Sequence, residues 1–265
     1  MHALAVFGIT GRMGQALIRA LQEDAPALRL SGAIASATSP RLGQDAAGEG
    51  TPSGVLITAD ASLGIRGASV AVDFSVSTGV GAHALACAAA GVPLLIGATG
   101  FDAATRGILE RASRSTPVLI APNTSIGMCV VAQLVTLAAV ALGTAYDVEI
   151  FEAHHRMKRD APSGTALALG EAVAGARGQA LRDIAAFDRS GEGAARAPGS
   201  IGFSVQRAGD TVGEHTVTFA AAGERVEITH RATDRITFAR GALRASEWLV
   251  GRPPGLYSMQ NVLGL

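Results

Sequence analysis

The first fourteen residues constrain the fold more than any other stretch of this chain. Ala3–Phe7 is a short apolar run of strand character, Gly8-Ile9-Thr10-Gly11-Arg12-Met13-Gly14 comes next as a glycine-rich turn, and Gln15–Gln22 continues with helix-forming residues. A strand, a Gly-rich turn and a helix in that order open a dinucleotide-binding unit. The glycines let the backbone approach a pyrophosphate, and the helix N-terminus faces its charge. The spacing is Gly-x-x-Gly-x-x-Gly, a variant of the usual fingerprint, and such turns also serve plain packing. The turn therefore takes its meaning from the elements after it.

Those elements alternate. Strands are expected at Arg29–Ala35, Val55–Thr58, Ser69–Phe74, Pro93–Ile96 and Pro117–Ile120, with Gln44–Gly54 as a glycine-rich surface loop. Helices are expected at Val80–Ala90, capped by Ser77 or Thr78, and at Asp102–Ser113. Strands alternating with helices imply a parallel sheet with right-handed crossovers, and ligands bind at the carboxyl ends of such strands. That places Gly8, Ile9, Thr10, Gly11, Arg12, Met13 and Gly14, then Ala35 and Ser36, then Gly97, Ala98 and Thr99, and finally Ala121, Pro122, Asn123 and Thr124 along one edge as a cofactor trough. A typical NAD site has a carboxylate at the end of the second strand. Here the positions read Ala35-Ser36-Ala37-Thr38-Ser39 with Arg41 beyond, so nothing repels a 2′-phosphate, and hydroxyls with Arg12 or Arg41 could bind one. NADPH is favoured, with NADH as the alternative.

Beyond Ser125 the pattern changes. Ile126–Leu142 is nearly all apolar, but it is short for a membrane span and contains Gln133 and Thr136, so a helix buried between layers or domains is expected. A strand at Asp147–Ala153 and a helix at Thr165–Ala174 come next, then a loop over Ala176–Gly199, then strands at Ile201–Arg207, Thr211–Ala220 and Arg225–His230. Alternation in Thr216-Val217-Thr218-Phe219 and Val226-Glu227-Ile228-Thr229 marks a sheet with one covered face; the other is solvated or meets a second subunit. Arg235–Val250 reads as a last helix before an irregular tail. The expected fold class is α/β, an N-terminal Rossmann-like parallel sheet with a second α+β domain containing a mixed or antiparallel sheet. Residues 1–125 form the dinucleotide-binding domain, with 235–265 returning to it, and residues 126–234 form the second domain.

The chemistry concentrates in Glu152–Thr165, Glu-Ala-His-His-Arg-Met-Lys-Arg-Asp-Ala-Pro-Ser-Gly-Thr, between the strand and helix of the second domain. Ser163 or Thr165 can cap the helix, whose N–H groups favour an anion, and Lys158 adds a mobile positive charge. The loop can hold a carboxylate or phosphate and offer a histidine for proton transfer. Adjacent histidines alone often sit on a solvated loop; the lysine and the Ser-Gly-Thr helix start beside them favour a site. A metal is not expected, because no further Cys or His stands at ligand spacing and consecutive strand residues point to opposite faces. His83, His215 and His230 are expected to have surface or packing roles. A formal net charge of zero argues against nucleic acid. Two cysteines in apolar helical runs, Cys87 and Cys129, and a start with no signal pattern suggest a cytoplasmic protein.

Over nearly its whole length the chain resembles the dihydrodipicolinate reductases of bacterial lysine and diaminopimelate synthesis. Val6–Gly14 is similar to their Gly-x-x-Gly-Arg-Met-Gly turn, and Glu152–Ala166 to their Glu-x-His-His-x-x-Lys-x-Asp-x-Pro-Ser-Gly-Thr-Ala signature. Arg207–Asp210, Gly213–His215, Gly223-Glu224 and Glu227–Ala232 also look like family positions. The resemblance implies NAD(P)H-dependent reduction of 4-hydroxy-tetrahydrodipicolinate, with His154 as acid–base residue and Lys158 as proton donor or carboxylate partner. It implies a substrate side made by His155, Ser163, Gly164, Thr165 and Thr99, and a homotetramer joined through the second domain's sheet. With cofactor and substrate on different domains, closure is expected to exclude water. The chain departs from the family in having Ala98 for a threonine, Thr124 for an aromatic or Met, and no acidic ribose ligand. Two alternatives compete: another two-domain dehydrogenase, such as one acting on aspartate semialdehyde or homoserine, of which the aldehyde dehydrogenase kind would need an activated cysteine such as Cys129, and a nicotinamide-sensing protein without turnover.

Overall fold

The computed structural model describes residues 1–24, 27–191, 193 and 195–265. In chain order the elements are β1 (His2–Phe7), α1 (Arg12–Asp24), β2 (Leu28–Ile34), β3 (Ile57–Thr58), α2 (Ala61–Gly64), β4 (Val70–Asp73), α3 (Ser77–Ala90), β5 (Leu94–Ile96), α4 (Ala103–Ala112) and β6 (Pro117–Ile120). They continue with α5 (Ile126–Leu142), β7 (Asp147–His154), α6 (Gly164–Ala176), α7 (Leu181–Ile184), β8 (Ala185–Ala186), β9 (Ile201–Arg207), β10 (Gly213–Ala221), β11 (Glu224–Ala232), α8 (Ile236–Leu249), β12 (Gly255–Tyr257) and α9 (Met259–Leu263). They divide into two compact units, Met1–Ile126 with Arg235–Leu265, and Gly127–Asp234.

The first unit is built on a parallel sheet of order β12-β6-β5-β4-β1-β2-β3. Its central strands are apolar on both faces because helices cover both: Leu4, Ala5, Val6, Phe7, Val70 and Val72 are fully buried. α8 packs on α1, β4 and β5 through Ala239, Ala242, Leu243 and Leu249. The tail, read from sequence as irregular, instead adds a parallel edge strand: Gly255, Leu256 and Tyr257 of β12 pair with Pro117, Val118 and Leu119 of β6. Three residues give too short a pattern to separate from a loop. α3 begins at Ser77 after Val76 as N-cap residue, with no side-chain cap bond, so neither Ser77 nor Thr78 caps it.

The second unit has a mixed sheet of order β11-β10-β7-β9-β8. β10 runs antiparallel to β7 and β11, whereas β9 runs parallel to β7 and β8. Val148, Ile150, Ile201, Phe203, Val217 and Phe219 from the sheet pack with Met128, Val135, Ala139, Leu169 and Val173 from α5 and α6. The burial expected of α5 is confined to one face: Val130, Leu134, Leu137 and Val140 on the other are 43–66% exposed. The stretch taken as a loop, Ala176–Gly199, holds the end of α6, α7 and β8; Glu192 and Ala194 of it lie outside the described residues.

Candidate active site

The Gly8–Gly14 turn joins the C-terminal end of β1 to the start of α1. Gly8 has φ +76°, and a Cβ there would stand 2.7 Å from the Phe74 carbonyl oxygen, so only glycine fits. Gly11 N donates to Gly8 O (3.0 Å) and Gln15 N to Gly11 O (3.0 Å), which carries the turn directly into the helix. The Gln15 amide donates to Ile9 O (2.8 Å) and Ala46 O (3.1 Å), tying the turn to the loop after β2. A helix start with no acidic residue in its first turn, against a bare glycine backbone, fits a pyrophosphate.

Ala35–Ser36, Gly97–Thr99 and Ala121–Thr124 come directly after β2, β5 and β6, so all the trough residues stand at carboxyl ends of parallel strands. Ile9, Gly14, Ala35, Ala98, Ala121 and Thr124 are buried, which leaves them backbone to offer. The Thr124 hydroxyl is engaged, donating to Phe238 O at 2.7 Å. Thr10 and Asn123 are half-buried, as are Gly97 and Met13; Gly11, Arg12, Ser36, Thr99 and Pro122 are exposed. The expected surface loop Gln44–Gly54 is organised by Asp45, whose carboxylate accepts from Ala47 N, Ser53 N, Ser53 Oγ and Gly54 N. The Ser53 and Ala47 N–H groups hold that carboxyl down at about 2. Arg41 commits one amino group to Asp45 O and Ala46 O, at 3.0 and 3.1 Å, and so braces this loop.

In the second unit, strand register assembles a polar end to an otherwise apolar core. Glu152 and His154 lie two apart on β7 and share its helix-covered face. Register places His215 of β10 opposite Glu152, and Arg207 of β9 opposite His154. Glu152 is fully buried. Its carboxylate accepts from Arg207 Nη1 and Nη2 (both 2.7 Å), Ser163 N (2.9 Å) and His154 Nδ1 (2.6 Å). Burial alone would raise this carboxyl; the bonds from Arg207, His154 and Ser163 override it and hold it below its ordinary value. Glu152 is therefore an anion that can only accept, so His154 Nδ1 carries the hydrogen. Burial pulls His154 below the ordinary histidine value, against the upward pull of Glu152.

Ser163 is the N-cap of α6, its Oγ accepting from Ala166 N at 3.1 Å; Thr165, the other candidate cap, lies inside the helix. Ser163 Oγ also shares a 2.9 Å hydrogen bond with His215 Nε2, and Gly164 stands exposed at the helix start. Lys158 is paired with Asp160 Oδ2 at 2.9 Å, and its side chain is 22% exposed. His155 is half-buried, and its carbonyl accepts from Lys158 N. His215 has the packing role expected of it, but it also meets the His154 ring edge-on at 5.2 Å between centroids.

Burial, aided by His154, pushes His215 down to about 3. The unfolded chain takes that proton near pH 6.5, whereas the folded protein refuses it until about 3. Stability is thus expected to fall as pH drops from about 6.5, by up to ~1.4 kcal/mol per pH unit for this group. His154 and His230, both lowered by burial, act in the same direction. Urea midpoints measured between pH 7 and 5 should decline, and the decline should be shallower in His215→Gln. A flat midpoint would contradict this.

Glu152, Arg207 and His215 meet His154 and Ser163 here, a cluster that sequence reasoning did not assemble. For Glu152 the signal was present, as a charge two residues before a histidine on a strand. Arg207 and His215 stood only at positions that look like the family's, and register alone joins them to Glu152. Cys129 and Cys87 are both raised by burial, Cys87 to about 12, so neither is an activated nucleophile. Among the described residues no group of three His, Cys, Asp or Glu could hold a metal.

Two family profiles match the chain: dihydrodipicolinate reductase, N-terminus, over residues 2–124, and dihydrodipicolinate reductase, C-terminus, over residues 127–263. The chain belongs to the dihydrodipicolinate reductase family. A 4-hydroxy-tetrahydrodipicolinate reductase from Anaeromyxobacter dehalogenans (strain 2CP-1 / ATCC BAA-258) is 50% identical, covering 100% of this chain and 98% of that protein. One from Herminiimonas arsenicoxydans is 48% identical over 99% and 98%. The dipicolinate-bound dihydrodipicolinate reductase from Paenisporosarcina sp. TG-14 has the same fold, with a TM-score of 0.75 at 24% identity over 98% of this chain and 99% of that one. As a dihydrodipicolinate reductase, the chain is an oxidoreductase using a nicotinamide cofactor. It reduces 4-hydroxy-tetrahydrodipicolinate to tetrahydrodipicolinate, with loss of water, on the diaminopimelate route to lysine.

Proposed function

We propose that the polar end of the second unit's core holds and protonates this dicarboxylate, with His154 as the acid–base residue. The observation that carries the reading is the placing of one oriented imidazole, Lys158 and the capped start of α6 at the same end of one sheet. Reduction of a conjugated ring imine needs a hydride, a proton and a grip on two carboxylates. Nicotinamide supplies the hydride when bound. As the imidazolium, His154 supplies the proton from Nε2, the ring nitrogen not turned to Glu152, and returns to the neutral Nδ1–H ring; Lys158 either donates a proton or pairs with a carboxylate. His155, Ser163, Gly164 and Thr165 grip the carboxylates through the N–H groups and hydroxyls around the α6 N-terminus.

The first unit is the dinucleotide-binding domain, in which Gly8–Gly14, Ala35–Ser36, Gly97–Thr99 and Ala121–Thr124 line the cofactor. NADPH is favoured over NADH, because Ser36 and Thr38 present hydroxyls, 3.0 Å apart, where a carboxylate would repel a 2′-phosphate. The second unit also serves oligomerisation: its uncovered sheet face carries Thr216 and Thr229, hydrogen-bonded at 3.0 Å, beside Phe151, 37% exposed. Small residues and an exposed aromatic suit a sheet that meets another copy in a cytoplasmic homotetramer.

The test is nicotinamide oxidation with freshly made 4-hydroxy-tetrahydrodipicolinate, run in parallel with NADPH and NADH. Turnover is expected with both, with kcat/KM higher for NADPH. A higher value for NADH would overturn the cofactor preference. Binding of either cofactor without turnover would favour the sensing alternative.

A further inference from the structure

We propose that Glu152, held by Arg207, is a positioning residue for the reaction: it fixes His154 with Nδ1–H turned into the sheet and leaves Nε2 as the nitrogen that exchanges a proton. The inference rests on the reading of His154 as the acid–base residue.

A fully buried carboxylate is expensive unless its lone pairs are used. Here four donors converge on it: two from Arg207, one from the Ser163 backbone and one from the His154 ring. Packing alone would be served as well by an apolar residue of similar volume. What only the anion does is dictate the tautomer of the ring beside it. Across the ring, a Cβ at position 213 would stand 3.1 Å from His154 Nε2, so Gly213 keeps that nitrogen clear on its side. Through Ser163 N the same carboxylate holds the first residue of the α6 cap, so the proton-transfer group and the anion-binding end share one anchor.

The charged and titratable groups facing His154 are Glu152 on β7, Arg207 on β9, His215 on β10 and Lys158 on the loop after β7; Asp160 pairs with Lys158, and His230 on β11 lies opposite His215. Their signs oppose. Glu152 favours the imidazolium, whereas Lys158 and Arg207 disfavour it. Substituting Glu152 or Arg207 by glutamine should therefore move His154 in opposite directions, and a positioning role for Glu152 adds a loss of kcat with KM little changed, which a purely structural role would not produce.

The experiment is an NMR titration of 15N-histidine-labelled enzyme, with His154 assigned by loss of its signals in His154→Ala, together with kcat and KM as functions of pH. The wild type is expected to show His154 as the Nδ1–H tautomer. In Glu152→Gln the His154 titration should move down and kcat at neutral pH should fall by up to about 10⁴-fold, the loss seen when the carboxylate orienting a catalytic histidine is made an amide, with KM changed much less. In Arg207→Gln the titration should move up. Should Glu152→Gln not fold, the upward shift in Arg207→Gln carries the test. Unchanged His154 titration in the folded variants, with turnover still lost in His154→Ala, would overturn the positioning role alone. Full turnover in His154→Ala would overturn the acid–base reading beneath it.

Discussion

Replacing His154 with alanine is expected to lower turnover by about 10²–10⁴-fold, the range over which a positioned general acid or base contributes, while leaving cofactor affinity within a few-fold of wild type. The reason is where the ring sits. Its Nδ1 is tied to Glu152 at 2.6 Å, and it belongs to a different compact unit from the glycine turn proposed to hold the cofactor. Burial also lowers its proton affinity, so an imidazolium formed there gives up its proton readily. Steady-state kinetics beside a direct cofactor titration check this. Parallel loss of turnover and cofactor binding would make His154 a structural residue, since removing a group that acts only in the transition state lowers kcat and kcat/KM together and spares ground-state binding.

Lys158→Ala should weaken a dicarboxylate inhibitor by roughly 10–150-fold, the equivalent of the ~1.5–3 kcal/mol that a hydrogen bond to a charged group contributes. Lys158 is partly shielded and already paired with Asp160, whose carboxyl would rise with burial but is held low by this lysine and by Arg207. A substrate carboxylate must therefore share or replace Asp160 as its partner. The two roles open to Lys158 separate in the kinetics. Loss of inhibitor affinity with a raised KM marks a carboxylate partner, whereas loss of kcat with unchanged inhibitor affinity marks a proton donor. Unchanged inhibitor binding together with unchanged kcat would remove Lys158 from the site.

Much of the fold is legible in the sequence. The strand–glycine turn–helix start, the alternation through β6 and the change of pattern after Ser125 lead to the parallel sheet and to a second sheet of another kind. β6 and β9 carry the bounds expected of them, Pro117–Ile120 and Ile201–Arg207. The misses have a common cause. β12, α7 and β8 are two to four residues long, too short for periodicity, and are specified by the neighbours they pack on. The cap of α3 failed because Val76 holds the N-cap position, leaving Ser77 and Thr78 inside the helix.

The site divides in the same way. Residues adjacent in the chain carry their own relationship. His154, Lys158 and the Ser163 cap sit on one strand–loop–helix segment, and local geometry alone brings a histidine, a cation and free N–H groups near each other. The contacts that turn that segment into an oriented site come from elsewhere. Arg207 reaches Glu152 from 55 residues away and His215 reaches Ser163 from 52. Those contacts depend on β9 and β10 pairing with β7 in one register, because a shift of one residue would turn each side chain to the opposite face. Sequence by itself determined which chemical groups and which local turns are available. Only the tertiary structure decided which buried charge each group answers to, because burial and cross-strand register are properties of the assembled sheet and of no single segment.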